Sequence, residues 1–207
     1  MDALQLLATT LGLGFASGLR LYSTVLALGL ALRFHWITLP ASMKGLDVLA
    51  HPAVLIAAGV AFLVEFVSDK IPWVDSLWDA LHTIIRPVGA ALLAFAAFGQ
   101  MDPLARALLT IACGSVALSA HAAKTATRLA VNHSPEPFSN LALSLAGDFA
   151  VPFLLWVVSA HPFLAVVLVA AFLVVFLWLA RKIWGVLRRG AGWLSRRFSS
   201  AAPETAE

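Results

Sequence analysis

Residues 65–87, EFVSDKIPWVDSLWDALHTIIRP, carry seven ionisable side chains, Glu65, Asp69, Lys70, Asp75, Asp79, His82 and Arg86, between flanks that are almost uncharged. Two patterns meet in the stretch. Residues 53–68 form an apolar helix ending in Glu65 and Asp69, and Pro72 marks its approximate end, because proline cannot continue the backbone ladder and disfavours helix in the residue before it. From 73 to 86 the periodicity is that of a short amphipathic helix. Val74, Leu77, Trp78, Leu81, Ile84 and Ile85 share one face, while Asp75, Asp79, His82 and Arg86 recur on the other. Pro87 is expected to close it, leaving VGAALLAFAAFG as a half-helix or the far part of a kinked one.

The surroundings settle what kind of medium this ridge sits in. The 207 residues are 61% hydrophobic and 12% charged, with a mean hydropathy of +0.90. A soluble domain carries roughly 45–50% apolar and about 25% charged residues. The composition is that of an all-α polytopic integral membrane protein, and soluble classes are excluded. About six hydrophobic segments are expected, some of them interrupted, since each span uses about 20 residues. The lone cysteine, Cys113, lies in an apolar run and reads as a packing residue. MDALQLLATTLGLGFASG has no basic n-region, so the first helix is expected to be retained.

Along the chain, residues 4–32 are apolar except near Gly18 and Arg20, where either one long helix carries a central arginine or the helix breaks. A polar loop with Trp36 at the interface is expected over 33–52. Residues 104–131 form another helix, on which His121, Lys124, Arg128 and Asn132 share a face. NHSPEPFSN breaks it, and Glu136 there is either a helix-start residue favoured by the dipole or part of a site. The next apolar run contains Asp148, and HPFLAVVLVAAFLVVFLWLA is a span without charge.

The remaining tail holds six of the fourteen Lys and Arg residues, which by the positive-inside bias makes the C-terminus cytoplasmic. Its aromatic and basic residues alternate as in a segment lying on anionic lipid. Headgroups are the nearer anion, so nucleic acid is not the expected partner. The expected organisation is a helical bundle over 1–184 and a basic interfacial tail over 185–207. Shared order of features suggests repeat halves 1–101 and 102–184, with proline-flanked charged segments at 65–87 and 121–148. In transporters, corresponding breaks of this kind mark the binding site.

Three strings, ASGLRLYS, EFVSDKIPWVDSLWDALHTIIRPVGA and AHAAKTATRLAVNHSPEPFSN, are similar to bacterial membrane proteins grouped as domain of unknown function family 4126. The resemblance covers about residues 10–155. It implies a polytopic membrane protein and no particular activity; the expected location is the bacterial inner membrane.

Intramembrane ionisable residues are a functional-site hypothesis by default, at an insertion cost of roughly 2.5–3.5 kcal/mol each. The candidate transport or binding set is Arg20, Glu65, Asp69, Lys70, Asp75, Asp79, His82, Arg86, Lys124, Arg128, Asn132, Glu136 and Asp148. As a cation pathway the carboxylates supply hard oxygen ligands. As an anion pathway Arg20, Arg86, Lys124 and Arg128, with Ser134 and a helix start near Pro137, hold phosphate, carboxylate or a headgroup. The expected function is passage of a small ion or polar solute across the bilayer. One alternative is a metal-dependent enzyme acting on a lipid phosphate, with Asp75, Asp79 and His82 as ligands, although neither HExxH nor a DxxDG aspartate motif is present. The other is a structural protein whose charges only pair with each other. No cofactor is indicated, and a homo-oligomer is compatible with everything above.

Overall fold

A computed structural model of the chain describes residues 2–132 and 137–199; the side chains of 72, 73, 76, 130–132, 137–141, 143, 186, 187 and 190–199 lie outside the description. The described residues are all helical: α1 (Ala3–Arg33), a 3-10 segment (Ala41–Ala50), α2 (Pro52–Ser68), α3 (Pro72–Ala97), α4 (Pro103–Asn132), α5 (Pro137–Ala160) and α6 (Pro162–Ser199). Each helix from α2 to α6 starts with proline. The first position of a helix has no use for the missing N–H, so proline starts a helix at the same place that it stops the previous one.

Three unbroken helical stretches are long and apolar enough to cross a membrane, Leu77–Ala97 of α3, Pro103–Leu129 of α4 and Pro162–Gly185 of α6, and α1 reaches that length only when the two halves on either side of Arg20 are counted together. The 3-10 segment and α2, bent by 67° at His51, make a fifth if counted as one broken span. The chain is thus a polytopic membrane protein. The polar loop expected over 33–52 is helical from Ala41, because Met43, Leu46 and Leu49 recur at threefold spacing and are buried on one face.

The direction of burial is inverted relative to a soluble bundle. On α3, Leu77 is 66% and Ile84 71% exposed, whereas Asp75, Asp79, His82 and Arg86 are buried. Hydrocarbon is as good a solvent for leucine as a protein core is, so the apolar face stays out and the polar face turns in. Pro87 does not end this helix, which runs on to Ala97. The half-helix expected after it is therefore the second half of α3.

α1 is broken, at Arg20 rather than at Gly18: Arg20 alone has non-helical backbone angles (φ −153°, ψ 96°). Gln5, Thr9 and Leu13 before the break line the same cavity as Ala27, Leu28 and Ala31 after it. In a straight helix Gln5 and Ala31 lie about 39 Å apart, so the chain folds back at Arg20. Packing agrees. The first half runs parallel to α4, with Gly14 against Cys113 and Gly18 against Ala117, where a side-chain carbon would collide with the Ala117 carbonyl. After the break, Leu21 packs on Gly89, and Leu21, Val25 and Leu92 line a second apolar cavity beside α3, which is antiparallel to α4.

Residues up to Val169 form one compact unit and those from Ala170 a second. In the second, α6 continues as helix through the expected boundary at 184/185 as far as Ser199, and Lys182 lies over the Trp178 ring at 5.0 Å.

Candidate functional site

α3 and α4 pair antiparallel, and their 3.6-residue periods bring the two charged ridges face to face. From the middle outward, the Cys113 thiol donates to the Ala90 carbonyl (3.3 Å), Arg86 Nη1 donates to His121 Nδ1 (2.8 Å), Thr125 Oγ1 donates to Asp79 Oδ2 (3.2 Å), and Arg128 pairs with Asp75. α2 adds Glu65 from its last turn and Asp69 just past its end. The folded tip of α1 adds Arg20, and α5 adds Ser144 and Asp148. The ion pairs link five carboxylates and four cations.

They fall into two networks. One centres on Arg86, fully buried, with Nη2 2.6 Å from Glu65 Oε1 and 3.7 Å from Asp79 Oδ1. Its Nη1 also donates to the Gly18 carbonyl at 3.2 Å, one of the acceptors set free where α1 loses its ladder. Because arginine only donates, His121 must accept at Nδ1 and carry its proton on Nε2, which reaches the Asp79 carbonyl at 3.0 Å. The imidazole is accordingly neutral and fixed in one tautomer.

The other network centres on Asp69. Its Oδ2 lies 2.5 Å from Arg20 Nη2 and 3.1 Å from Arg128 Nη2, and its Oδ1 lies 3.9 Å from Lys124 Nζ. Arg20 Nε reaches Asp148 Oδ1 at 3.0 Å, and Arg20 Nη2 donates to the Ser144 carbonyl at 2.9 Å. Burial alone raises the Asp69 carboxyl, but Lys124, Arg20 and Arg128 outweigh it and hold the group below the usual carboxylate range. A carboxylate surrounded by three cations stays ionised.

Ten of the expected site residues meet here or at the network's edge: Arg20, Glu65, Asp69, Asp75, Asp79, His82, Arg86, Lys124, Arg128 and Asp148. Lys70 does not. It is exposed, donates to the Phe66 carbonyl at 2.9 Å and sits over the Phe66 ring. The side chain of Asn132 and the whole of Ser134 and Glu136 lie outside the described residues. Asp75, Asp79 and His82 do not converge: Asp75 pairs with Arg128 and Asp79 with Arg86, while His82 Nδ1 donates to the Trp78 carbonyl (2.7 Å) and its Nε2 meets Tyr22 Oη (3.1 Å). Among the described residues no three His, Cys, Asp or Glu side chains are grouped as metal ligands.

Tyr22, Thr83, His121, Thr125 and Ser144 join the networks without having been expected there. His121 shares the spacing of Lys124 and Arg128 and could have been included on that ground. Tyr22 offers only that it is the single tyrosine of the chain, two residues after Arg20.

No curated protein and no solved structure matches the chain. A family model does match, over residues 7–182, which takes in α1 beyond its first turn, α2 to α5, the apolar first part of α6 and every charge of both networks. The chain therefore belongs to the family described as Domain of unknown function (DUF4126).

Proposed function

We propose that the protein moves a small ion or polar solute across the membrane through the charged interior between α1, α3, α4 and α5. The observation that carries this reading is the extent of the buried charge. Ionisable side chains run along α3 from Asp75 to Arg86, about 16 Å of helix axis, or roughly half of a hydrocarbon core about 30 Å thick. The ladder ends where the broken helix α1 turns its Gly18 carbonyl to Arg86. Interrupted helices that aim backbone groups at a polar site are the common construction of transporter binding sites. Two apolar cavities, about 520 and 670 Å³, flank α1 beyond its tip and supply room for movement of the re-entrant element.

The pairing reading has its own observation: Asp69 and Asp79 contact Arg128, Lys124 and Arg86 directly. Glue of that kind is an expensive choice, because buried ion pairs rarely stabilise more than well-packed apolar groups would. A transport site needs such charges, whereas a bundle does not. The segments 65–87 and 121–148 serve as the paired halves of a two-fold arrangement of about six hydrophobic segments. The membrane is the bacterial inner membrane. The basic residues from Arg181 onward face the cytoplasm and anionic lipid.

The test is a flux screen in proteoliposomes, covering protons, alkali and divalent cations, phosphate and small carboxylates. Asp69→Asn and Arg128→Gln are expected to abolish a flux that the wild type supports while both proteins still fold. A loss of thermal stability alone, with no solute moved by the wild type, would leave pairing as the function of the charges.

A further inference from the structure

Asp69 is held in an unusual way for a buried carboxylate. Its two oxygens lie within ion-pair distance of three cations, Arg20, Lys124 and Arg128, with both arginines on Oδ2 and the lysine at 3.9 Å from Oδ1. The donors facing it are under-used. Arg20 Nη1 and Lys124 Nζ are buried and lack a hydrogen-bond partner among the described residues, while Arg128 Nη2 has Asp69 Oδ2 at 3.1 Å. Buried donors in native proteins are almost always satisfied, and an exception calls for an explanation such as an absent ion or ligand. Here three cations from two helices, α1 and α4, share one carboxylate, and two of their buried donor atoms are left without an acceptor among the described residues.

We infer that the Arg20, Lys124 and Arg128 cradle is an oxyanion-binding site, and that Asp69 is a tethered stand-in which a phosphate group or a substrate carboxylate displaces. A phosphate group brings up to four oxygens, arranged tetrahedrally, and guanidinium forks match such groups bidentately. It would give acceptors to donors that Asp69 leaves idle. Asp69 is also placed to leave. It sits on the three-residue link between α2 and α3, next to the exposed Lys70, and not inside a helix. Asp148 and Asp75 each keep one arginine in position from the far side, so the cradle persists when Asp69 withdraws. The inference rests on the transport reading only in naming the class of solute; binding itself is independent of it.

The test uses the full chain carrying Asp69→Ala, purified in neutral detergent and titrated with inorganic phosphate against chloride of equal ionic strength. Phosphate is expected to raise the melting midpoint saturably by about 5 °C or more at high occupancy. The wild type, whose cradle is filled, is expected to respond less, and adding Lys124→Met to the variant to remove the response. Should Asp69→Ala not fold, Asp69→Asn, which keeps the shape and loses the charge, takes its place. Nanodiscs of phosphatidylcholine with or without phosphatidylglycerol separate the sources. Protection by phosphatidylglycerol without free phosphate assigns the site to a headgroup, and protection only by free phosphate assigns it to a soluble anion. Equal effects of phosphate and chloride with no effect of phosphatidylglycerol, or a response that survives Lys124→Met, overturn the inference. Protection by phosphate without flux of any solute leaves it standing and removes the transport reading. Flux without phosphate or headgroup protection does the reverse.

Discussion

Arg86 has no exposed surface and touches Glu65, Asp79, His121 and the Gly18 carbonyl. Removing one member of such a buried set leaves its partners charged and unpaired, which costs about 3–5 kcal/mol. Arg86→Met is therefore expected to destabilise the protein by that amount in equilibrium unfolding, and Arg86→Met combined with Glu65→Leu to recover much of the loss; strictly additive losses would mean the pair is not coupled. Asp69 yields a pH prediction. Its folded carboxyl titrates below the usual range, so its contribution is fully present above the unfolded value of about 3.9 and is lost as pH falls through the lower folded value. The stability gap between wild type and Asp69→Asn should stay constant from pH 7 to about pH 5 and close only below about pH 4. A gap that closes between pH 6 and 7 would show that the three cations do not hold the charge. At this scale the sequence was informative about which side chains belong together, since Asp75, Asp79, His82 and Arg86 announce themselves by spacing. It was silent about partners, because choosing Asp69 for Arg20 depends on where the break of α1 and the link between α2 and α3 come together.

Helix α1 carries the main structural claim at the scale of elements. Spin labels at Gln5→Cys and Ala31→Cys, with Cys113→Ala to remove the native thiol, should report a separation far short of the about 39 Å of a straight helix. A distance near that value would refute the fold-back at Arg20 and with it the placement of the Gly18 carbonyl. Gly18→Leu should prevent folding or shift the whole tip, because the backbone of α4 occupies the space a side chain needs. The interruption near Gly18 and Arg20 was visible in the sequence as small residues beside a charge. Its angle was not, since one residue of extended backbone leaves no signature in composition. α3 shows the opposite difficulty. Proline after a polar ridge reads as a stop by rules learned in water, yet α3 passes through Pro87, as membrane helices do when neighbouring side chains and helices satisfy the freed groups. Thr83, whose carbonyl loses the N–H of Pro87, stands one helical turn before it.

For the whole molecule, the medium decides the orientation of every helix. The same amphipathic pattern on α3 would put its charges outside in water, and only the overall apolar composition indicates that they turn inward. Membership of DUF4126 extends over both networks and past the part of the chain where the resemblance was first legible, as far as residue 182. The central claim is that the buried ladder passes a solute and does not merely hold the bundle together. The most direct test compares wild-type protein with Arg128→Gln in sealed proteoliposomes across the panel of ions and small anions, with folding of both checked by size exclusion and helical content. The account predicts that the wild type moves at least one solute and that the variant loses at least about tenfold of the rate, equivalent to 1.4 kcal/mol of barrier. No movement by the wild type, or equal rates with only a lower melting midpoint in the variant, would contradict it.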